Sequence, residues 1–396
     1  MRLLVIGSGK MGSAAAYDMA RSADVESVTL ADSDKGRVKD AANRVNKLVG
    51  DNKVRAATLD AADEKAASRL MRGHDAALSA VPYFFNLGLA RAAVEARCHF
   101  ADLGGNNVVV RQEYELSKKA EKRNLAIAPD CGLSPGMASI LAGELMRRIG
   151  GQAEALKIYV GGLPAEPKPP FNYQLVFSVE GLINEYAEPA RILRKGKITT
   201  VEPLTEPETF RLPGFPPLEA FHTSGGTSTL PETFQGKVGD CFEKTLRYRG
   251  HLAFIRGLYD LGLFSNEKLK LGKAEVSPRE ITARLMEDRF AGDAPDVTIM
   301  RIEAHEKIGG GLRSLFAREK RSPRVLSFTL LDFADAKTGM TSMMRTTAWP
   351  ASVIVQMLAS GDISRRGGIR QELDVPADAF LSAISQRGIK IQYEET

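Results

Sequence analysis

Short apolar segments alternate with longer amphipathic segments through the first 130 residues of the chain. The apolar segments predict buried strands, which are Arg2–Ile6, Ser27–Ala31, Val54–Leu59, Ala76–Val81, His99–Leu103 and Leu125–Ala128. The amphipathic segments predict helices, which are Lys10–Arg21, Lys35–Val49, Glu64–Arg72, Phe84–Ala96 and Gln112–Arg123. Because strands and helices take turns, we expect an α/β fold whose first domain has a parallel sheet with helices on both faces.

The pattern changes after residue 130. One more helix is expected over Pro135–Ile149, with Ser134 as its cap. Ten of the nineteen prolines then fall between residues 161 and 217, which is typical of loops and edge strands. Strands of an antiparallel sheet are expected over Thr298–Ala304 and Val325–Phe333, and a helix over Ala351–Ala359. We therefore predict a second, α+β domain over 131–338 that interrupts a first domain made of 1–130 and 339–396.

The composition is that of a globular protein. The 396 residues are 43% apolar and 26% charged, and 54 Lys and Arg against 49 Asp and Glu leave a net charge of +5. A charge that small gives no reason to expect a nucleic-acid partner. The three cysteines lie far apart, the histidines form no metal motif, and no apolar run approaches the roughly 20 residues of a membrane span. We expect a cytoplasmic protein that binds small molecules, without a metal and without a membrane.

A glycine motif follows the first predicted strand and opens the first predicted helix. Its members are Gly7, Ser8, Gly9, Lys10, Met11 and Gly12. In a dinucleotide-binding turn the first glycine permits the tight turn, the second lets the backbone approach the pyrophosphate, and the third lets the helix pack closely on the strand. Asp32 ends the second strand twenty residues after Gly12, where a carboxylate accepts hydrogen bonds from the adenine ribose. The motif favours NAD, and Arg37 keeps NADP as an alternative; a purely structural turn is the competing interpretation.

Two further predicted strands end in small or polar residues. Ligands of parallel sheets bind at the carboxyl ends of the strands. We therefore add to the predicted cofactor site the residues at the carboxyl ends of the fourth and fifth strands, which are Ser79, Ala80, Val81, Pro82, Leu103 and Gly104. Ordinary strand-to-helix turns are the alternative for each of them.

Four longer motifs carry a family resemblance. They are Pro129–Gly136, Tyr159–Pro164, Phe177–Leu182 and Thr245–His251. With these motifs the chain resembles the saccharopine dehydrogenase superfamily over nearly its whole length. Within that superfamily it resembles the lysine 6-dehydrogenases most, on the stretches Leu218–Leu230 and Arg345–Ala348.

The resemblance implies a Rossmann domain that binds NAD(P), a second domain that binds an amino acid, a homodimer, and a C-terminal segment that returns to the first domain. One departure concerns Ser224–Thr227. The saccharopine-forming reductases carry an arginine-containing stretch there, which suits a second acidic group, whereas this chain has two glycines. The departure favours free lysine over saccharopine as the substrate, unless an arginine elsewhere replaces the lost one.

Polar residues of the second domain are the candidates for binding the amino acid. Arg247 is the first choice for the α-carboxylate, because a guanidinium group binds a carboxylate with two hydrogen bonds; a structural salt bridge is the alternative. His251 would share a helical face with Arg247 if this segment is helical, and could bind substrate or relay a proton near neutral pH. The other candidates, which could equally form a tight turn or a dimer surface, are His222, Thr223, Ser224, Gly225, Asn172, Tyr173 and Glu180.

Oxidation of an amine also needs a group that takes a proton from the ammonium. Asp102 and Asp130 end successive predicted strands, and partly buried carboxylates there would have a raised pKa. Tyr83 is a weaker candidate, as a proton relay. Cys131 stands beside Asp130, but hydride transfer from an amine needs no covalent adduct, so we expect it to be structural.

Three functions fit these residues. The first is NAD-dependent oxidative deamination of L-lysine at its ε-amine, in which hydride transfer gives an imine that is hydrolysed to the semialdehyde and ammonia. The second is a saccharopine dehydrogenase, or a related imine-forming reductase, that uses NADP(H). The third is a dinucleotide-binding scaffold without turnover, which would need none of the polar residues of the second domain.

Overall fold

The structure is a computed structural model that describes residues 1–292, 294–307 and 322–396. It divides into two compact units. The first is made of residues 1–143 and 335–390, and the second of residues 144–334 and 391–396. The unit boundaries thus fall at residue 143 rather than 130 and at residue 335 rather than 339, and the last six residues belong to the second unit rather than the first.

Two packing contacts concern the boundary at residue 143 and the place of the last six residues. Gly143 lies so close to Glu372 that a Cβ on it would come within 2.1 Å of the backbone oxygen of Glu372. This contact places the start of the helix over Ala138–Arg148 in the first unit. At the other end, residues 391–395 form a strand that pairs with the strand over residues 325–333 of the second unit.

The helices and strands follow in chain order. Up to residue 148 the strands are β1 (Arg2–Ile6), β2 (Ser27–Asp32), β3 (Val54–Thr58), β4 (Ala76–Ser79), β5 (His99–Asp102) and β6 (Ala126–Ala128). The helices of this part are α1 (Lys10–Arg21), α2 (Lys35–Val49), α3 (Glu64–Met71), α4 (Asn86–Ala96), α5 (Asn107–Glu115), α6 (Ser117–Lys122) and α7 (Ala138–Arg148).

The following strands are β7 (Ala153–Pro164), β8 (Ala190–Arg194), β9 (Lys197–Val201), β10 (Glu208–Phe210), β11 (Leu218–His222), β12 (Val238–Tyr248), β13 (Leu269–Leu271), β14 (Ala274–Val276), β15 (Asp296–Glu306) and β16 (Val325–Phe333). The helices among them are α8 (Val179–Ala187), α9 (Leu230–Phe234), α10 (His251–Asp260) and α11 (Pro278–Phe290). The chain ends with α12 (Ser342–Ser360), β17 (Gly367–Gly368), α13 (Gln371–Asp374), α14 (Ala377–Gln386) and β18 (Ile391–Glu395).

Seven parallel strands form the sheet of the first unit, in the order β17-β6-β5-β4-β1-β2-β3. Leu3, Leu4 and Val5 of β1 are fully buried, as expected for a strand that helices cover on both faces. The order of β1 to β6 is that of a doubly wound nucleotide-binding sheet, whose ligands bind at the carboxyl ends where the order reverses between β1 and β4. The predicted α/β fold class is confirmed.

Helix α12 brings the C-terminal part of the chain back to the first unit. Its Ser352 donates a hydrogen bond to the buried carboxylate of Asp18 on α1 at 2.7 Å, and Arg387 donates to the same carboxylate at 2.7 Å. The rings of Trp349 and Tyr17 stack with centroids 6.4 Å apart. A buried carboxylate needs such partners, so these contacts fix the returning helix on α1.

Three predicted helices differ from the structure, and one of them, expected over Ala351–Ala359, is α12, which begins nine residues earlier at Ser342. The segment 112–123 is not one helix but the end of α5 and the whole of α6, which meet at Leu116. The helix predicted from Pro135 begins at Ala138, because residues 134–136 have non-helical dihedral angles and Gly136 has a φ of 119°. Ser134 therefore does not stand at the start of this helix.

Within the described residues of the second unit, nine strands form the large sheet. Its main path is β10-β11-β12-β7-β15-β16-β18, and β8 and β9 join through β12. The pair β7–β12 is parallel, whereas the other described pairs of this sheet are antiparallel. Of the helices in the described parts of the chain, none is long and apolar enough to cross a membrane.

Candidate functional site

The glycine turn between β1 and α1 has almost no room for side chains. Gly7 has a φ of 102°, and a Cβ on it would lie 2.6 Å from the backbone oxygen of Ala80. A Cβ on Gly12 would lie 1.8 Å from the backbone oxygen of Gly7. Real Cβ atoms do not come that close to a carbonyl oxygen, so this strand–turn–helix packing requires glycine at both positions.

Gly9 is different, because no atom lies within 4 Å of the position that its Cβ would take. It stands at the N-terminus of α1, which no side chain caps, and Lys10 and Met11 form the first turn of the helix behind it. A helix N-terminus with open space in front of it suits a phosphate group. The turn therefore fits the pyrophosphate of a dinucleotide, which agrees with the predicted role of the six motif residues.

Asp32 closes the turn from the end of β2. Its Oδ2 accepts hydrogen bonds from the N–H and the hydroxyl of Ser8, both at 2.8 Å. Its Oδ1 accepts from the guanidinium of Arg37 at 2.5 Å and from the N–H of Asp34 at 3.1 Å. Burial alone would raise the pKa of Asp32, but these hydrogen bonds lower it to about 2, so Asp32 is a carboxylate at neutral pH.

The end of β4 forms the wall next to this turn. Ala80 donates its N–H to Ile6 at 2.7 Å, and both Ala80 and Val81 contact the space over Gly7. Ser79 is buried and donates its hydroxyl to Asn86 at 2.7 Å. Pro82 and Tyr83 continue into a short 3₁₀ turn, in which Tyr83 lies against Gly105 of the next loop. Of the residues predicted here, Ala80 and Val81 thus adjoin the glycine turn directly.

The ends of β5 and β6 are joined through Asp102. This buried carboxylate accepts hydrogen bonds at Oδ1 from the N–H of Gly104 at 2.6 Å and of Asp130 at 3.2 Å. Gly104, which follows Leu103, lies so close to Asp130 that a Cβ would come within 1.9 Å of its Oδ1. Asp130 has a φ of 62°, in the left-handed region. The structure therefore brings together the two aspartates that the sequence offered as proton acceptors.

Cys131 stands next to this pair and is fully buried. Its thiol donates to the backbone oxygen of Ala128 at 3.0 Å, and burial raises its pKa well above the usual range. A thiol with a raised pKa is a poor nucleophile, which supports the structural role expected for it.

In the second unit, alternate residues of β12 carry the candidate chemistry. Glu243, Thr245 and Arg247 are two residues apart on one strand, so their side chains lie on the same face of the sheet. Arg247 is buried, and its Nε donates to the hydroxyl of Tyr186 at 3.0 Å. Its guanidinium also lies over the ring of Tyr173, 4.9 Å from the centroid, and 3.8 Å from a carboxylate oxygen of Glu185. These partners hold a positive charge in a fixed place.

His251 does not share a helix face with Arg247, because Arg247 belongs to β12 whereas His251 begins α10. The two are linked instead through Tyr186, whose hydroxyl lies 3.0 Å from Nε2 of His251, while Nδ1 lies 3.2 Å from the backbone oxygen of Phe171. Burial and the nearby Arg247 lower the pKa of His251 to about 3. The imidazole is therefore uncharged at neutral pH and its hydrogen bond positions Tyr186, while its role in binding substrate or relaying a proton stays a prediction.

Two carboxyl groups share this region. Glu243 is buried, and Thr223 donates a hydrogen bond to it at 3.2 Å. Burial raises the pKa of Glu243 to about 8, and the charge of Glu185 adds to that rise. Burial likewise raises the pKa of Glu185 to about 7, against the attraction of Arg247. A raised pKa means that each carboxyl group is short of positive charge nearby. A further positive charge would therefore stabilise the ionised forms of Glu185 and Glu243 beside Arg247.

The loop after β11 forms one edge of this cluster. Ser224 donates its N–H to the backbone oxygen of Glu185 at 3.0 Å, and a Cβ on Gly226 would lie 2.6 Å from Cγ of Glu243. Gly225 has a φ of 98° and no atom near its Cβ position. His222 points elsewhere: its Nε2 lies 3.4 Å from the carboxylate of Glu206, and burial lowers its pKa.

The remaining three candidates separate. Tyr173 is buried beside Arg247, and among the described residues its hydroxyl has no hydrogen-bond partner. Asn172 precedes it with a φ of 49° and donates its N–H to Lys168 at 2.9 Å. Glu180 is exposed and accepts a hydrogen bond from Arg279 at 2.9 Å, so the structure does not place it with the Arg247 cluster.

Three residues around Arg247 were missed by the sequence analysis: Tyr186, Glu185 and Glu243. Glu243 had a usable signal, because it lies four residues before Arg247 on the same strand, and alternate residues of a strand share one face. Tyr186 and Glu185 lie on α8, about sixty residues before β12, and nothing local in the sequence connects them to it. Of the His, Cys, Asp and Glu side chains in the described parts of the chain, no three or more form a group that could hold a metal ion.

Comparison with known proteins decides the family. The model of the saccharopine dehydrogenase NADP binding domain matches residues 3–130, and that of the saccharopine dehydrogenase C-terminal domain matches residues 132–389. The chain belongs to the saccharopine dehydrogenase family. The resemblance to the saccharopine dehydrogenase superfamily is thereby confirmed, and NAD(P) is the cofactor type of its first unit.

Curated relatives match this chain over only part of their own length. The saccharopine dehydrogenase [NADP(+), L-glutamate-forming] of Pyricularia oryzae is 26% identical over 288 residues, which are 67% of this chain and 62% of that protein. The mitochondrial alpha-aminoadipic semialdehyde synthase of Rattus norvegicus is 24% identical over 299 residues, 70% of this chain and 30% of that protein. The match thus spans less than two thirds of these relatives.

Solved structures show the same fold. The apo saccharopine dehydrogenase (L-Glu forming) from Saccharomyces cerevisiae has a TM-score of 0.78 at 18% identity and is covered over 99% of its chain, with 100% of this chain matched. The homospermidine synthase from Legionella pneumophila, solved in complex with NAD, has a TM-score of 0.68 at 11% identity and is covered over 91% of its chain, again with 100% of this chain matched. At these low identities, the two structures show that the fold is shared and nothing more.

Proposed function

We propose that the protein is an NAD(P)-dependent oxidoreductase that acts on a carbon–nitrogen bond of an amino-acid substrate. One observation carries the proposal: a single chain combines a dinucleotide turn that fits a pyrophosphate with a buried, positioned arginine on β12. The relatives from Pyricularia oryzae and Saccharomyces cerevisiae are named saccharopine dehydrogenases, which supports the reaction type. A scaffold without turnover would have no use for the buried charges of the second unit.

The first unit holds the cofactor in this proposal. Gly7, Gly9 and Gly12 form the turn for the pyrophosphate, and Asp32 accepts hydrogen bonds from the hydroxyls of the adenine ribose. A bound nicotinamide would supply the acceptor or donor of the hydride. Asp32 favours NAD, whereas its partner Arg37 provides a positive charge for the 2′-phosphate of NADP.

Arg247 binds the substrate carboxylate in this proposal. Two of its N–H directions are used, one by Tyr186 at 3.0 Å and one by the backbone oxygen of Leu246 at 2.9 Å. The guanidinium has further donors, and the hydroxyl of Tyr173 beside it has no partner among the described residues. A carboxylate bound here would replace the weak 3.8 Å contact with Glu185 by direct hydrogen bonds.

A proton must leave the substrate nitrogen before its carbon gives up a hydride. Asp102, Asp130 and Tyr83 remain our candidates for the acceptor, and Asp102 comes first. Burial raises the pKa of Asp102, which makes it a better base than an exposed aspartate.

Saccharopine, a secondary amine between two amino acids, is the first candidate substrate. The relatives from Pyricularia oryzae and Saccharomyces cerevisiae are named for this reaction with NADP(+). The alternative weighed from the sequence, a saccharopine dehydrogenase or imine-forming reductase, is thus better supported than lysine 6-dehydrogenation.

L-lysine is the second candidate, and the charges around Arg247 favour it. The cluster holds one arginine with two carboxyl groups, Glu185 and Glu243, and the loop beside it has Gly225 and Gly226 where a further arginine would be needed. One carboxylate and two ammonium groups match this cluster better than the three carboxylates of saccharopine do.

The test is oxidation of defined amines by the purified protein. Saccharopine, L-lysine and L-ornithine are each supplied with NAD or NADP, and the absorbance of the reduced cofactor is followed. Reduction with saccharopine supports the first candidate, and reduction with lysine alone supports the second. Cofactor binding without reduction by any amine, in either direction of the reaction, would contradict both.

We also propose a homodimer in the cytoplasm. The dimer rests on the family resemblance, and the reducing compartment is supported by three cysteines that are all buried thiols. Light scattering of the purified protein measures the mass, for which the proposal expects twice the 43.0 kDa of the chain.

A further inference from the structure

A pair of buried carboxyl groups lies at the end of β5. Oδ2 of Asp102 and both carboxyl oxygens of Glu113 receive no hydrogen bond from any donor of the described chain, and both side chains are fully buried. The two groups instead lie against each other at hydrogen-bonding range. Because an ionised carboxylate only accepts hydrogen bonds, such a contact needs a proton on one of the two groups.

The surroundings of Asp102 and Glu113 do not stabilise a negative charge on both carboxyl groups. Asp130 is the other charge that acts on this pair, and it is negative as well. The other titratable groups nearby are Cys131 and Tyr114. The charges of Arg370 and Glu372 in turn affect the pKa of Tyr114. Burial first, and the repulsion between the two charges second, raise the pKa of the Glu113 carboxyl.

We propose that Glu113 and Asp102 hold one proton between them, and that Glu113 is thereby a positioning residue for the loop that follows β5. The O–H of Glu113 satisfies the buried Oδ2 of Asp102. The other oxygen of Asp102 is then free to accept the N–H of Gly104 at 2.6 Å and of Asp130 at 3.2 Å. One shared proton thus fixes the ends of both β5 and β6.

The kinetic part of this inference rests on the proposed function, since Asp102 is our first candidate for the proton acceptor. Without the O–H of Glu113, the carboxylate of Asp102 is buried with a bare oxygen, and it takes up a proton more easily. Loss of Glu113 should therefore move the acid limb of the pH profile of kcat/KM to higher pH.

The shared proton itself can be tested without turnover. Infrared difference spectra compare the full-length protein with Glu113→Gln, with Glu113→Leu and with Glu115→Gln, an exposed control on the same helix. We expect the carbonyl band of a buried protonated carboxyl at pH 7, which is lost in both Glu113 variants and kept in the control. Spectra without such a band in the wild type would overturn the proposal.

The pH profile of kcat/KM then tests positioning. Glu113→Leu should move the acid limb to higher pH, and Glu113→Gln should restore it, because an amide N–H can donate to Asp102 as the carboxyl did. An unchanged limb in a folded Glu113→Leu variant would refute the positioning role. If Glu113→Leu does not fold, an acid limb of Glu113→Gln that lies at higher pH than that of the wild type would refute it instead. If no amine is oxidised at all, the proposed function fails, and the infrared band still decides the shared proton.

Discussion

The glycine turn of the first unit and the charged face of β12 in the second unit are built in opposite ways. The turn consists of backbone, and its key residues are defined by what they lack: a Cβ on Gly12 would come within 1.8 Å of a carbonyl oxygen. The face of β12 consists of side chains, and its key residue, Arg247, is held by Tyr173, Glu185 and Tyr186. A backbone site tolerates no added atom, whereas a side-chain site tolerates no lost partner.

The two regions also differ in charge. At the turn, the carboxylate of Asp32 has a pKa of about 2 and is ionised throughout the neutral range. On β12, Glu243 has a pKa raised to about 8, so its charge depends on pH and on what binds nearby. We therefore expect mutations at the turn to act through shape, and mutations on β12 to act through charge.

The largest effect is expected from Gly12→Ala. The new methyl group would overlap the backbone oxygen of Gly7, which cannot move without opening the turn. We expect a loss of about 3 kcal/mol in the free energy of unfolding, the upper range for overpacking, with loss of cofactor binding. Denaturant unfolding and titration with NAD and NADP measure both quantities.

Gly257→Ala is the matched control, since Gly257 lies on α10 with no atom near its Cβ position. It should leave stability and cofactor binding nearly unchanged. A Gly12→Ala variant as stable as this control would show that the turn is not closely packed.

The next effect is expected from Arg247→Met. A hydrogen-bonded charge contributes about 1.5–3 kcal/mol, so the KM for the amino acid should rise about 10- to 100-fold. Cofactor affinity should stay the same. Steady-state kinetics with either substrate varied separates the two constants, and Arg249→Met, an exposed neighbour, serves as the control. An equal rise in both constants would mean that Arg247 supports the fold rather than the substrate.

Glu243→Gln should have a smaller effect, and one that depends on pH. If Glu243 binds a substrate ammonium, it must be ionised, and its ionised fraction grows as the pH rises through about 8. We expect lysine affinity to increase from pH 6 to pH 9 in the wild type and to change about tenfold less in Glu243→Gln. Titration calorimetry with lysine measures this, with exposed Glu154→Gln as the control. Parallel pH curves for wild type and variant would remove Glu243 from the substrate site.

The smallest effect is expected from Arg37→Ala. Without this guanidinium, the carboxylate of Asp32 faces the 2′-phosphate of NADP uncompensated, whereas NAD has no phosphate there. NADP affinity should fall about tenfold, by about 1.4 kcal/mol, and NAD affinity should change little. Fluorescence titration with both cofactors gives the ratio, and Arg44→Ala on the same helix is the control. A fall of equal size for both cofactors would argue against a role in discrimination.

The difference between the two regions also explains what the sequence could predict. The strands and helices up to residue 96 and the glycine turn depend on local patterns, so β1, α1 and α2 were predicted with the bounds that the structure has. The face of β12 depends on segments about sixty residues apart, and α8 with Glu185 and Tyr186 carried no motif that points to Arg247. Glu113 was missed for the same reason, because its partner Asp102 lies on another element.

Local geometry explains why the helix predicted over 135–149 begins later and why His251 shares no helical face with Arg247. Proline at a first turn is a good general signal, but here Ser134, Pro135 and Gly136 leave the helical region. His251 follows Arg247 by four residues, yet the strand ends between them, so the helical spacing does not apply. Burial, which the sequence does not reveal, then removed its charge.

One steady-state experiment tests the central claim, that the first unit binds the cofactor and the second binds the amine. The formation of reduced cofactor is followed in wild type, Gly9→Ala and Arg247→Met, with saccharopine and with lysine as substrates. The account predicts reduction by the wild type, a raised cofactor KM only in Gly9→Ala, and a raised amine KM only in Arg247→Met. A wild type that reduces neither NAD nor NADP, or variants in which both constants rise together, would contradict it.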